Sequence, residues 1–264
     1  MARNQDKPRS PIAWVGGKSK LTADIIPLIP PHRGYVEVFA GAAWLLFRKP
    51  PSKAEVINDI NGDLITFYRV IKYHRAAFVE AFNDVLTSRE QFNQFVRTPT
   101  DVLTDIQRAV RFYYVLRNNF GAKVTDSSFV VSSQRPPRLN PDELDAEIRE
   151  ASERLKRVYI EHLPYHKLIP RLDRPDVFFY LDPPYWDCED VYGKGLFGKD
   201  DFTRLRDLLV KVKGKWLMSI NDVPQIREFF GQFHIREVGT QYTLASTDPK
   251  RVTELLIANY PIND

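Results

Sequence analysis

Five consecutive apolar residues, Val177-Phe178-Phe179-Tyr180-Leu181, run directly into Asp182-Pro183-Pro184-Tyr185. An unbroken apolar run of this length reads as a strand buried on both faces, the signature of the middle of a parallel sheet. Two successive prolines cannot continue a strand ladder, so the chain turns there and leaves carbonyls that the sheet does not pair. The strand therefore ends in a carboxylate, a backbone acceptor and an aromatic ring, at the edge where open α/β sheets bind ligands. Taken alone, the tetrapeptide is also compatible with mere punctuation after a strand.

The rest of the chain supplies a sheet for that strand. Tyr35-Val36-Glu37-Val38-Phe39 reads as a first core strand, followed by the small-residue turn Ala40-Gly41-Ala42-Ala43 and a helix running through Phe47. Ala54-Glu55-Val56-Ile57-Asn58-Asp59 is a second strand ending on an acid, and a helix over 62–74 follows. Strand, tight turn, helix and acid-terminated strand make the first half of a doubly wound nucleotide-binding sheet. From Arg75 to Tyr165 amphipathic helices dominate, with one short strand at Phe129-Val130-Val131; strand–helix alternation resumes near Asp176. Ninety residues without sheet signals, between two halves of one sheet, describe an inserted helical domain. The expected division is 1–74 and 166–264 for the sheet domain and 75–165 for the insertion.

Composition narrows the class. No apolar run approaches the roughly 20 residues that span a bilayer, and no signal-peptide pattern opens the chain. The single cysteine, Cys188, excludes an intramolecular disulfide framework and a Cys-rich zinc site, so the cytoplasm is the expected compartment. Cys188 has no partnered base nearby and reads as an inert thiol. Of the five histidines only His162 and His166 have metal-like spacing, and Pro164 between them opposes a helix carrying both; no metal is expected. Arg108, Arg111, Arg117, Lys123, Arg135 and Arg138 face one acid, Asp126, within one stretch. That local excess suits a phosphate-rich partner, and equally suits a solvated basic face.

Gly41 after the first strand lets a ligand approach the backbone, and Asp59, at the end of the second, stands where a ribose diol would be gripped. The pair indicates a nucleoside-containing cofactor. The full Gly-x-Gly-x-x-Gly fingerprint is missing, which weakens a dinucleotide reading. Gly17-Lys18-Ser19 is not a P-loop, because Ile12 stands where that motif needs glycine.

Several of these pieces together resemble a known family. Ala13-Trp14-Val15-Gly16-Gly17-Lys18, Val36-Glu37-Val38-Phe39-Ala40-Gly41, Ile57-Asn58-Asp59-Ile60-Asn61, Asp63-Leu64 and Asp182-Pro183-Pro184-Tyr185 are similar to the motifs of Dam-type (D12 class, alpha motif order) DNA adenine-N6 methyltransferases. Arg108-Ala109-Val110, Asn118 to Gly121 and Thr253-Glu254-Leu255-Leu256 extend the likeness over nearly the whole chain. The resemblance implies a doubly wound, Rossmann-like methyltransferase sheet with an inserted, mainly helical target-recognition domain. It implies S-adenosylmethionine as methyl donor, left as S-adenosylhomocysteine, in a bed made by Trp14, Gly16, Gly17, Lys18, Glu37, Phe39, Gly41, Asp59, Ile60 and Asp182. Asp182, Pro183, Pro184 and Tyr185 become the catalytic group, acting on an adenine flipped out of double-stranded DNA. Arg117, Asn118, Lys123, Arg135 and Arg138 are the expected DNA contacts. The resemblance also implies a bacterial or phage-encoded enzyme, expected to be monomeric, and leaves open whether it serves a restriction-modification system, a phage or a housekeeping role.

One departure from the family pattern stands at the glycine turn, where Ala43 and Trp44 replace a glycine and a small residue. The recognition segment, 122–137, differs from members that read GATC, so no target sequence carries over. The tetrapeptide chemistry also serves cytosine N4 and adenine N6 in RNA, and protein-glutamine enzymes are similar but tend to use asparagine at the position of Asp182. A non-catalytic DNA-binding module is the remaining alternative. Tyr192 to Phe197 is a candidate loop over the flipped base, or simply structural.

Overall fold

The computed structural model describes residues 9–14, 18–119, 128–189, 195–241 and 251–262. Its strands form one sheet: β1 (Gly34–Glu37), β2 (Ala54–Asn58), β3 (Val158–Glu161), β4 (Val177–Leu181), β5 (Lys215–Asn221), β6 (His234–Gln241) and β7 (Arg251–Ala258), in the spatial order β3-β2-β1-β4-β5-β7-β6. Strands β1 to β5 pair in parallel, and β7 runs antiparallel to both of its neighbours.

Period-two alternation sends successive strand residues to opposite faces, and both faces are covered. Tyr35, Ile57, Phe178, Tyr180 and Leu217 belong to a core that includes Ile25 of α1 (Thr22–Ile25) and lies under α2 (Trp44–Arg48) and α3 (Gly62–Tyr73). Val36, Val56, Phe179, Leu181 and Met218 belong to a second core under α8 (Tyr165–Leu172), α9 (Lys199–Leu209) and α10 (Pro224–Phe230). This two-sided burial is what the unbroken apolar runs require, and it is the expected doubly wound α/β architecture.

The helical stretch contains α4 (Arg75–Glu80), α5 (Arg89–Arg97), α6 (Asp105–Asn118) and α7 (Pro141–Leu155). Helix α6 starts at a reciprocal capping box between Thr104 and Gln107; α7 starts with the Asn140 side chain accepting from Asp142 N and with Pro141 in its first turn. Both share the core of α3: Phe67 stacks on Tyr113 of α6 at 5.6 Å, and Leu144, Ile148 and Leu155 of α7 join the same cluster. Arg154 of α7 is also bonded to Glu55 of β2 and to the Leu46 carbonyl of α2, while Lys49 closes on Glu55 at 2.6 Å. The helices are fused to the sheet through a continuous core and a buried ion network.

Two elements differ from the sequence reading. The stretch 75–165 is not free of sheet, because Val158–Glu161 is the edge strand, paired in parallel with β2. A four-residue run with Val158 buried and Tyr159 67% exposed carries no readable alternation. Conversely, Phe129-Val130-Val131 makes no strand; Phe129 forms an isolated antiparallel bridge with Asn119. Among the described residues no helix is long and apolar enough to cross a membrane.

Candidate active site at the carboxyl edge

The sheet order reverses between β1 and β4, so the loops after these strands diverge and leave a crevice. A cleft of about 640 Å³, counted to its open mouth, lies there. Trp14, Lys18, Glu37, Phe39, Gly41, Asp59, Ile60 and Asp182 all line it, with Pro184 at one side. Residues from separate sequence segments thus meet in one place. Gly16, Gly17 and Lys123 lie outside the described residues.

The glycine turn forms the floor. The Gly41 amide donates to Asp59 Oδ2 at 2.9 Å, and its carbonyl accepts from the Tyr68 hydroxyl at 2.8 Å. Gly41 has φ +48°, and the Trp14 indole lies where a Cβ would be, 2.8 Å from its Cδ1. Asp59 Oδ1 takes the Asn61 amide at 2.9 Å, so the acid holds the turn and still borders the cleft. Burial pushes the Asp59 carboxyl above its ordinary range, against the opposing pull of these amides. Ala43 also adopts the left-handed region, φ 49° and ψ 40°, immediately before α2. That conformation explains why glycine suits the position; the alanine methyl is buried away from solvent.

Glu37 performs the capping that Ala43 cannot. Its Oε1 accepts from Leu46 N, in the first turn of α2, at 2.5 Å and from the Tyr35 hydroxyl at 2.6 Å. Burial raises its carboxyl to about 7, despite the two donors. An unfolded glutamate titrates at about 4.5, so the stability tied to Glu37 is full below that value and is lost as pH rises through 7. Glu37→Gln keeps an acceptor and removes the titration. The stability advantage of the variant over wild type is expected to grow between pH 4.5 and pH 8 by on the order of 3 kcal/mol, measured by denaturant melts. A constant difference across that range would contradict the assignment.

The far wall carries the charge. Lys18 Nζ is 2.8 Å from Asp182 Oδ1 and 4.0 Å from Glu254 Oε2, and the lysine is only 4% exposed. The same ammonium sits 4.6 Å from the Tyr185 ring centroid, and the Tyr185 hydroxyl is hydrogen-bonded to Glu254. Burial lifts Asp182 above the usual carboxylate range, while Lys18 and Ser219 pull it back. Pro183 and Pro184 are buried beneath. Beyond them Asn221 of β5 clamps the backbone of Trp186, accepting from its amide at 2.9 Å and donating to its carbonyl at 3.2 Å.

Phe197 is buried against Phe39 and Tyr165, so the end of the candidate loop is a core anchor; its first residues, Tyr192 to Lys194, lie outside the described residues. His162 is 3.0 Å from the Ile60 carbonyl, and among the described residues no group of three or more His, Cys, Asp or Glu could hold a metal.

The arginines of α6 do not form the open basic face expected of them. Arg108 and Arg111 converge on Asp63, and Arg117 pairs with Glu147 while lying 5.0 Å from the Tyr113 ring centroid. These acids come from distant sequence, which is why a local charge count overstates the field. Asn118 is buried and donates to the Tyr114 carbonyl, and Arg138 donates to the Asn119 carbonyl at 3.1 Å. The first bond lies within α6 and the second closes on the residue that follows it. Arg135 is exposed and makes no ion pair among the described residues.

A family model decides the class: that of the D12 class N6 adenine-specific DNA methyltransferases matches residues 14–244. The chain belongs to this family. As a D12-class enzyme it is a DNA adenine-N6 methyltransferase, and its Rossmann-like sheet is the methyltransferase fold. The chain is 27% identical to the Type II methyltransferase M1.LlaDCHI of Lactococcus lactis subsp. cremoris over 98% of both chains. It is also 27% identical to the Type II methyltransferase M.CviBI of Paramecium bursaria Chlorella virus NC1A, covering 94% of this chain and 98% of that protein. With the DNA adenine methylase of Escherichia coli it shares 25% identity, covering 97% of this chain and 96% of that protein. The methyltransferase therefore needs a methyl donor. Ser219, Tyr180 and Asn221 carry no mark in the sequence that singles them out, beyond a serine inside the apolar run of β5.

Proposed function

We propose that the chain transfers a methyl group from S-adenosylmethionine to N6 of an adenine flipped out of double-stranded DNA, with Asp182 aligning the amine. The observation that carries this reading is Asp182 itself: a carboxylate fixed by Lys18 and Ser219 at the switch-point crevice, bordering a nucleoside-sized cleft. The cleft suits the donor on its own chemistry. Trp14, Phe39 and Ile60 offer flat apolar surface for a purine, Asp59 keeps lone pairs for ribose hydroxyls, and Glu37 and Asp182 face a cationic ligand with acids. Gly16, Gly17, Lys18 and Gly41 complete that bed in this reading, and the missing side chain of Gly41 is what lets the Trp14 indole lie against the turn.

When bound, S-adenosylmethionine supplies a methyl group on a positively charged sulfur. The chain's own task is to prepare the amine. An exocyclic adenine amine is a poor nucleophile because its lone pair is delocalised into the ring. Asp182 and the Pro183 carbonyl each accept one of its hydrogens, which draws the nitrogen toward tetrahedral geometry and turns its lone pair toward the methyl. Asp182 then takes the proton that the amine loses. Orientation and fixed charge do this work, with no demand for a strong base. Tyr185, its hydroxyl held by Glu254, offers a ring face for stacking on the flipped base.

Duplex contact falls to the helical segment. Arg135 remains a contact in this reading, with Lys123 in the adjoining recognition segment; Arg117, Asn118 and Arg138 stay candidate contacts, each already engaged within the protein by Glu147, the Tyr114 carbonyl and the Asn119 carbonyl. We add Arg89 and Arg97, exposed on α5 with Asn93 between them at every fourth position and facing an open groove. Arg89 also lies 5.5 Å from the ring centroid of Phe129, beside the recognition segment. The double change Arg89→Ala with Arg97→Ala is expected to reduce the slope of log Kd against log salt by about 2, roughly one for each phosphate no longer neutralised. An unchanged slope removes α5 from the interface.

A monomer working without metal in the cytoplasm of a bacterium or a phage-infected cell fits the single cysteine, the DNA substrate and relatives from bacteria and a virus. Nucleoside mass spectrometry of DNA incubated with the protein and S-adenosylmethionine tests the central reading. N6-methyladenine is the expected product, and duplex DNA should outcompete RNA at equal concentration. Appearance of N4-methylcytosine, or preference for RNA, overturns it. Mapping of methylated adenines then reads the target sequence.

A further inference from the structure

Strand β5 is apolar except for one residue in its interior. Trp216, Leu217, Met218 and Ile220 are fully buried, and so is Ser219. The parallel register of β4 and β5 pairs Leu181 with Met218, which brings Ser219 beside Asp182. Its Oγ lies 3.1 Å from Asp182 Oδ1 and 2.7 Å from the hydroxyl of Tyr180. The direction of this chain is fixed by its end. An ionised carboxylate only accepts, so Ser219 spends its one proton on Asp182, and Tyr180 must donate to Ser219. Lys18 Nζ approaches the same Oδ1 at 2.8 Å.

Two donors therefore converge on one oxygen of Asp182, while Oδ2 accepts no bond among the described residues. We infer that Tyr180 and Ser219 are positioning residues, which with Lys18 lock the rotation of the Asp182 carboxylate so that Oδ1 is held by the protein and Oδ2 is presented to the target amine. The inference rests on the reading of Asp182 as the amine's acceptor. Lys18 alone, on a flexible four-carbon stem, fixes a charge but not a carboxylate plane; a strand-borne hydroxyl two bonds from the backbone does. The Tyr180 phenol is kept protonated by burial first and by Asp182 second, so its donation to Ser219 holds across the working pH range. The chain costs the sheet two buried polar groups; among the described residues the Tyr180 hydroxyl is satisfied by Ser219, and Ser219 by Tyr180 and Asp182.

The test compares wild type with Ser219→Ala, Ser219→Thr and Tyr180→Phe. Ser219→Ala is expected to lower kcat on the order of 10- to 100-fold, with KM for DNA and for S-adenosylmethionine changed by less than about threefold. Loss of a hydrogen bond to the ionised form raises the pKa of Asp182, so the acid limb of the kcat profile moves to higher pH by roughly half a unit or more. Ser219→Thr keeps the hydroxyl and restores kcat and limb together. Tyr180→Phe shifts both in the same direction but less, and the double variant is no worse than Ser219→Ala, because Tyr180 acts through Ser219. An additive double variant, or Ser219→Ala with wild-type kcat and an unmoved limb, overturns the inference.

A second readout does not depend on activity. The carboxyl carbon of Asp182 in protein labelled with ¹³C-aspartate, followed by NMR against pH without substrates, should titrate higher in Ser219→Ala, and also in Tyr180→Phe if the alanine variant does not fold. An unshifted titration overturns the positioning role whatever the enzyme methylates. A wild type that forms no N6-methyladenine overturns the proposed function instead, so the two failures are told apart.

Discussion

Asp182→Ala should reduce methyl transfer on the order of 10³-fold or more, while affinity for duplex DNA stays within a few-fold of wild type. The carboxylate is a charged acceptor at the crevice between β1 and β4, and it meets no expected DNA-contact residue. Its removal leaves Lys18, only 4% exposed, without the oxygen at 2.8 Å; among the described residues Glu254, at 4.0 Å, takes over as the nearest anion. Some loss of stability accompanies the change, because a buried ammonium keeps a weaker partner. Thermal melting must therefore accompany the kinetics. Asp182→Asn separates the effects further: it keeps the shape of the side chain but replaces an acceptor with a donor, so it repels one amine hydrogen. Single-turnover methylation and gel-shift titration of all three proteins give the answer. An alanine variant that folds, binds DNA and retains transfer would falsify the role given to Asp182.

The contrast between what the sequence disclosed and what it concealed has a physical pattern. Strands β1, β2 and β4 were readable because central parallel strands are apolar on both faces and end abruptly in Gly41, Asp59 and Asp182. Those same ends are the cleft, so the site residues named from the strand termini and from the Trp14–Lys18 segment meet there. Strand β3 was hidden because an edge strand needs little apolar surface, and Val158–Glu161 supplies almost none. Ser219, Tyr180 and Asn221 were hidden for another reason. Ser219 and Tyr180 meet only through the β4–β5 register, and Asn221 of β5 finds its partner, Trp186, in the loop after β4. The local charge count was incomplete in the same way: Asp63 and Glu147 neutralise arginines of α6 from far along the chain. Local pattern reveals what a segment must bury; pairing decides which polar groups meet.

The glycine turn supports an equally demanding expectation. Gly41→Ala should weaken S-adenosylmethionine binding by at least about 10- to 100-fold, and cost roughly 1–2 kcal/mol of stability through the left-handed backbone alone. The added Cβ would come 2.8 Å from Trp14 Cδ1 and 3.0 Å from Nε1, at a residue whose φ is +48°. The backbone cannot retreat, because Asp59 holds the Gly41 amide and Tyr68 holds its carbonyl. The indole must yield instead, although its other side packs toward Phe112 of α6 at 6.0 Å. Moving it dismantles an apolar wall of the cleft. Gly195 is the matched control: its φ is +76°, but nothing lies within 4 Å of a Cβ built there. Gly195→Ala should show the backbone cost without the loss of affinity. Isothermal titration with S-adenosylmethionine, beside a denaturant melt of each variant, distinguishes the two. Wild-type affinity in a folded Gly41→Ala protein would mean that Trp14 and the turn do not form the donor's bed, and the contact between them would then be one of packing only.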